Sequence, residues 1–184
     1  MSAVVTSPGP THVRPLGWRA RRRQQKQERR RLAELHAIRA LLEQAVQVVS
    51  SGWVQGAWFS VDTPGGTRPV TAYDLYLVEE RPVVGACLVG AVVHAAGGPA
   101  TVRSQLVQRT LDLTWHALSE SEREPVRWCP SPAVRTAHVR DLTRWNDQPQ
   151  RTAGQVSSLL QSAVHLADAQ IETRRAEQRA LTPG

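Results

Sequence analysis

The chain has 184 residues, of which 41% are hydrophobic, and a formal net charge of +7. This length is enough for one well-buried core and too short for two ordinary domains, so we expect a single domain with tails. No secretion signal opens the chain and no apolar run reaches the roughly 18 to 20 residues of a membrane-spanning helix, which predicts a cytoplasmic protein and excludes an integral membrane protein.

The positive charge is concentrated near the N-terminus. Residues 1–31 contain nine basic residues and one acid, Glu28, whereas the remaining residues carry 14 basic and 15 acidic side chains. The high pI is therefore a property of one segment. The basic residues that we expect to bind a partner are Arg19, Arg21, Arg22, Arg23, Lys26, Arg29, Arg30 and Arg31.

A long first helix is predicted to begin at Trp18, after a flexible arm of Pro-rich and Gly-rich sequence at residues 1–17. No Pro or Gly follows Trp18 until Gly52, which is placed to cap the helix end. Residues 18–31 form a basic helical extension that carries charge on every side and projects from the body. Apolar residues then recur at three-and-four spacing, at Leu32, Leu35, Ile38, Leu42, Ala45 and Val49.

The middle of the chain combines β-prone and apolar segments. Residues 53–62 and 70–78 flank a turn sequence at 63–67, which indicates a possible small β-hairpin, although residues 73–78 could instead begin a helix. Residues 83–96 are apolar on all sides and are predicted to form the central buried helix.

Three more helices are predicted in the C-terminal half. The first spans residues 99–118, and a loop at 119–131 leads to a helix that starts at Pro132 and ends at Trp145. The last helix opens with Thr152 and Gln155 in the capping-box pattern, and residues 173–184 form a charged tail that frays. The fold class is mainly α: a helical core domain of about five helices over residues 32–172.

Three groups of residues carry a resemblance to a known family. They are residues 52–57, residues 87–91, and Trp145, Asn146 and Asp147 with the following Arg151, Thr152 and Val156. Together they are similar to a family of small uncharacterised bacterial proteins, found mainly in actinobacteria and mobile elements and catalogued as a domain of unknown function. The resemblance covers roughly residues 32–172. It implies a compact helical domain and no particular activity.

Cys87 is the candidate nucleophile in the apolar segment, and Cys129 is expected to be a second free thiol. The bases available to Cys87 are His94, His116 and His138, with Asn146 or Asp147 to orient the base. However, an apolar environment raises a thiol pKa, and His94 lies two turns along the same predicted helix. A buried structural cysteine is therefore the favoured interpretation.

Asn146 and Asp147 form a possible polar site, because they present donors and acceptors at a helix end. The alternative is that they only close the helix as caps. No His or Cys spacing matches a metal motif and no nucleotide fingerprint is present, so no metal or cofactor is predicted. Among the six tryptophans, Trp18 is the one whose position beside the arginines suggests base stacking.

The basic segment favours a non-enzymatic, nucleic-acid-associated accessory protein that binds the phosphate backbone without sequence preference. An acidic protein surface is the other partner considered, and a membrane is disfavoured because the extension lacks an apolar face. The alternative function is a protein-interaction or assembly module, in which helix 32–49 pairs with a partner or a second copy. The stripe for that pairing is Leu35, Ile38, Leu42 and Val49. A Cys87-dependent enzyme is the third possibility.

Overall fold

A computed structural model of the protein describes residues 17–119, 126 and 131–180. Within these residues, six α-helices and one small antiparallel sheet form a mainly helical single domain, as the sequence predicts. In chain order the elements are α1 Trp18–Ser51, β1 Phe59–Thr63, β2 Gly66–Val70, α2 Leu77–Glu80, β3 Val83–Ala86, α3 Leu88–Ala95, a 3₁₀ turn at Pro99–Thr101, α4 Gln105–Leu118, α5 Pro132–Asn146 and α6 Ala153–Ala180. The arm at residues 1–16, most of the predicted loop with Cys129, and the last four residues lie outside the described part.

Helix α1 is the longest element and has the predicted limits. It ends where the backbone N–H of Gly52 donates to the carbonyl oxygen of Val48 at 3.2 Å. Its buried side chains are Leu35, Ile38, Leu41, Leu42, Ala45 and Val49. They pack into one core with α3, α4 and α6, which contribute Val92, Leu111 and Leu160 among others.

Helices α1 and α6 run antiparallel along each other. Arg39 donates to Asp168 at 2.8 Å, and farther along α1 the residues near Gln47 share a groove with Gln161, which lies earlier in α6. Near the outer end of this pair, Glu34 forms an ion pair with Arg109 of α4. The first buried residue of α1, Leu35, follows directly.

The predicted hairpin is confirmed, but its second strand lies earlier than the pattern indicated. Strand β1 is central in the order β2-β1-β3, and Phe59 pairs with Val70 on one side and with Ala86 on the other. The chain reverses within residues 64–65, so β2 is complete at Val70. Residues 71–76 then form turns that lead into the single helical turn of α2.

The prediction of one buried helix over residues 83–96 is wrong. Residues 83–86 form strand β3, and the helix begins only at Leu88. The backbone of this stretch has partners in sequence-distant segments: Ala86 N–H donates to Gly52 at 2.9 Å, and Cys87 N–H donates to Trp58 at 3.0 Å. These bonds hold an extended conformation that the uniform apolar character of the sequence did not reveal.

The C-terminal helices follow the predicted order with shifted ends. Helix α4 starts at Gln105 after a Ser104 cap, and not at Pro99. The capping box of α6 is confirmed: Thr152 N–H donates to Gln155 Oε1 at 3.1 Å and Gln155 N–H donates to Thr152 Oγ1 at 3.3 Å. Helix α6 continues to Ala180, past the predicted boundary at residue 172. Two ion pairs between residues three apart, Arg174–Glu177 and Glu172–Arg175, lie in its last turns and favour the helix by a small amount.

Candidate functional site

The basic extension, residues 18–31 of α1, is exposed except at Ala20 and Glu28, which are half-buried. All eight predicted binding residues are exposed, and Trp18 at its start is 67% exposed. Because the side chains of α1 become buried only from Leu35 onwards, the extension carries no part of the core. Its charges are therefore accessible to a partner.

Basic residues lie on every side of the extension, as the sequence predicts, but most of them are concentrated on one side. At about 100° per residue, six of the eight basic residues fall within about 120° of the helix circumference. We call these six the basic stripe: Arg19, Arg22, Arg23, Lys26, Arg29 and Arg30. Arg21 and Arg31 point elsewhere. The stripe is about 16 Å long, from the rise of about 1.5 Å per residue.

The basic stripe faces away from the body. The buried residues of α1, such as Ile38 and Ala45, are centred about 125° round the helix from the stripe. Helices α1 and α6 are antiparallel, and Arg39 contacts Asp168. Ala180, twelve residues after Asp168, therefore lies beside about residue 27 of α1, which is twelve residues before Arg39. Residues 18–26 thus extend about 13 Å beyond the last described residue of α6.

Little negative charge competes for the stripe. The acid of the extension, Glu28, lies off the stripe and pairs with Arg31 at 3.0 Å. None of the six stripe residues forms an ion pair within the described part of the chain. The Arg22 guanidinium lies over the Trp18 ring at 4.8 Å from its centroid. The stripe therefore presents a nearly uncompensated row of cations.

Asn146, one of the two predicted polar-site residues, is fully buried and joins three segments of the chain. Its Oδ1 accepts hydrogen bonds from Trp53 Nε1 at 2.9 Å and from the backbone N–H of Leu88 at 3.1 Å. Its Nδ2 donates to the carbonyl oxygen of Val54 at 3.2 Å and to Asp147 Oδ1 at 2.8 Å. All four hydrogen-bonding positions of the amide are thus used.

A second layer of contacts surrounds Asn146. Asp147, which is exposed, accepts from the backbone N–H of Gly56 at 3.0 Å, and Gln55 Nε2 donates to the carbonyl oxygens of Asn146 and Gln148. Arg151 lies 3.7 Å from the centroid of the Trp145 ring. The three residue groups that carry the family resemblance therefore meet here. We call this set of contacts, which joins residues 53–56 and Leu88 to residues 146–148, the polar junction. Because it links three distant segments of the domain, its role is wider than that of a helix cap.

Cys87 adjoins the polar junction, and no histidine of the described residues hydrogen-bonds to its thiol. Its side chain is 1% exposed, and Sγ accepts a hydrogen bond from the backbone N–H of Gly90 at 3.3 Å. Burial raises the pKa of the thiol to about 11, and the nearby Asp147 carboxylate adds to the rise. The ring of His94 contacts Phe59 edge-on, whereas His138 Nδ1 lies 3.0 Å from Asp112. This arrangement suits a structural thiol that caps α3.

A buried charged cluster between α4 and α5 was missed at the sequence level. Asp112 is 1% exposed and binds both Arg135 Nε at 3.3 Å and His138 Nδ1 at 3.0 Å. The Trp115 indole stacks on the His138 ring with centroids 4.0 Å apart. An acid among the apolar positions of α4 was the available signal, since a carboxylate is rarely buried without partners. The cluster fastens the two helices to each other.

The described residues contain no group of three or more His, Cys, Asp or Glu side chains that could hold a metal ion. Every helix in this part of the chain is also too short or too polar to cross a bilayer.

A sequence profile of a family of unknown function (DUF6197) matches residues 33–166. This range is well over half of the chain and includes the polar junction, in agreement with the resemblance noted from the sequence. The basic extension lies outside it. No curated protein and no solved structure matches the chain.

Proposed function

We propose that this chain, which belongs to the DUF6197 family of unknown function, is a non-enzymatic nucleic-acid-associated accessory protein. In this proposal residues 19–31 bind the phosphate backbone of DNA or RNA without sequence preference. The observation that carries it is the basic stripe, which places six exposed cations on one side of a projecting helix with almost no acid beside them. Such a row displaces condensed counterions from phosphates, which favours binding.

The size of the stripe sets the expected strength and salt dependence. Six neutralised phosphates on B-DNA give a slope of about −5 for log K against log salt concentration. Affinity in the micromolar range at moderate salt is typical of such non-specific contacts, and roughly a thousandfold is lost between about 50 and 200 mM salt. The cytoplasm, where bacterial nucleic acid is found, is the location that fits this function.

The proposal divides the chain into a binding segment and a supporting body. The family profile begins at residue 33, directly after the extension, so phosphate binding would be a property added to the family domain. The body anchors the extension through the buried face of α1 and the Glu34–Arg109 ion pair. A body of this kind leaves its remaining surface for contacts with other proteins.

The alternative of an assembly module has less support from the geometry. Pairing through helix 32–49 was expected to use Leu35, Ile38, Leu42 and Val49. These side chains are between 0% and 7% exposed within the chain's own core. A partner helix would therefore need another face of α1.

The test compares the full chain with a chain that starts at Leu32, by fluorescence anisotropy with random duplex DNA and single-stranded RNA at two salt concentrations. The shorter chain keeps every buried residue of α1, and circular dichroism checks that it is folded. We expect binding only by the full chain, weakened by salt. Salt-insensitive binding, or full binding by the shorter chain, would contradict the proposal.

A further inference from the structure

We infer that the basic stripe takes double-stranded rather than single-stranded nucleic acid as its partner. The inference rests on the proposed function and narrows its ligand class. It follows from the shape of the stripe and from the position of Trp18.

The stripe matches the charge density of duplex DNA along a straight line. The stripe is part of one uninterrupted helix and holds its six cations along about 16 Å. Duplex DNA presents about ten phosphates over this length, since it carries one charge per about 1.7 Å of axis. Roughly half of them face any one side, which is comparable with the number of cations. A flexible single strand would have to be straightened to meet the same row.

The six residues of the stripe provide no aromatic surface for base stacking. Proteins that hold single strands combine cations with aromatic side chains, and each stacked base contributes about 1 to 3 kcal/mol. Helix α1 contains no Phe or Tyr and a single Trp, Trp18. This residue lies at the outer end of the extension, beside the stripe. Arg22 covers one face of its ring. A single strand on the stripe would therefore gain charge contacts alone.

The experiment uses the full chain and three probes: a 20-base-pair duplex of mixed sequence and each of its two strands, chosen without self-complementarity. Counterion release per contact is larger for a duplex, with a coefficient of about 0.9 against about 0.7. For six contacts, the salt slopes of the duplex and of the strands then differ by about one unit. If the two affinities are equal at about 1 M salt, this difference gives a preference for the duplex of roughly thirtyfold at about 50 mM salt. Trp18→Ala should change duplex binding by less than about twofold, because the ring stands beside the stripe.

Equal or tighter binding of the strands would overturn the inference and leave phosphate binding by the extension intact. If Trp18→Ala also lost binding to the single strands, the tryptophan would be shown to stack on bases, which would overturn the inference as well. If neither the duplex nor the strands bind, the proposed function itself fails. These outcomes separate the two claims.

Discussion

Replacement of Asn146 by alanine tests whether the polar junction holds the domain together. The substitution removes the partner of three groups at once: the buried N–H of Leu88, the carbonyl oxygen of Val54 and the indole N–H of Trp53. Each buried polar group left without a partner costs about 1 to 3 kcal/mol, and water can reach some of the half-buried ones. We therefore expect a loss of about 3 to 5 kcal/mol, a large part of the 5 to 15 kcal/mol typical of a domain.

Urea unfolding followed by circular dichroism measures this loss as a lower transition midpoint at constant m-value. Gln150→Ala is the matched control, because it removes a neighbouring amide side chain that is exposed. We expect the control to change the free energy of unfolding by less than about 0.5 kcal/mol. If Asn146→Ala costs less than about 1 kcal/mol, the junction does not have the structural role described.

Asn146→Asp separates the hydrogen bonds from the volume of the side chain. It keeps acceptors for Trp53 and Leu88, but it loses the N–H groups that donate to Val54 and Asp147 and places a carboxyl group beside Asp147. Burial and the Asp147 carboxylate would raise the pKa of the introduced carboxyl in the folded state. The variant should therefore be least destabilised at acidic pH, with a deficit that grows as the pH rises. A pH-independent deficit would contradict this.

Three further predictions concern other parts of the fold. Burial raises the pKa of the Cys87 thiol to about 11, so Cys87 should not react with iodoacetamide at pH 8 until the protein is unfolded. Peptide mapping by mass spectrometry measures this labelling, and rapid labelling of the native protein would contradict the burial of the thiol. Gly90→Ala places a Cβ against the carbonyl oxygen of Trp58 and should prevent stable folding. At the start of α6, Gly154→Ala places a Cβ 3.8 Å from Thr152 Oγ1, an ordinary contact, and should raise the melting temperature slightly. Similar effects at both sites would refute the packing argument. Asp112→Ala removes the shared partner of Arg135 and His138 and should lower the free energy of unfolding by about 3 to 5 kcal/mol. A loss below about 1 kcal/mol in a urea titration would show that this cluster does not stabilise the fold.

The elements that the sequence predicted well have their signals close together in the chain. The limits of α1 follow from an uninterrupted apolar period and a terminal Gly52, and the start of α6 follows from Thr152 and Gln155, three residues apart. The hairpin likewise has its turn residues between its strands. In these cases local hydrogen bonding and side-chain spacing determine the structure.

The features that the sequence did not predict depend on distant partners. Residues 83–96 are apolar on all sides, and such a run does not distinguish a buried strand from a buried helix. Asn146 contacts Leu88 and Trp53, which are 58 and 93 residues away, so its central position appears only in the folded chain. The basic stripe is different, because the three-and-four spacing of its residues from Arg19 to Arg30 can be recognised in the sequence alone.

The central claim is that the basic stripe, and not the net charge of the chain, binds nucleic acid. The most direct test compares two double variants of equal charge: Lys26→Gln with Arg29→Gln on the stripe, and Arg21→Gln with Arg31→Gln off it. Each is titrated with duplex DNA over a series of salt concentrations. The account predicts that the stripe variant reduces the salt slope by about two units, whereas the off-stripe variant reduces it by much less. Equal reductions by both pairs would contradict the account.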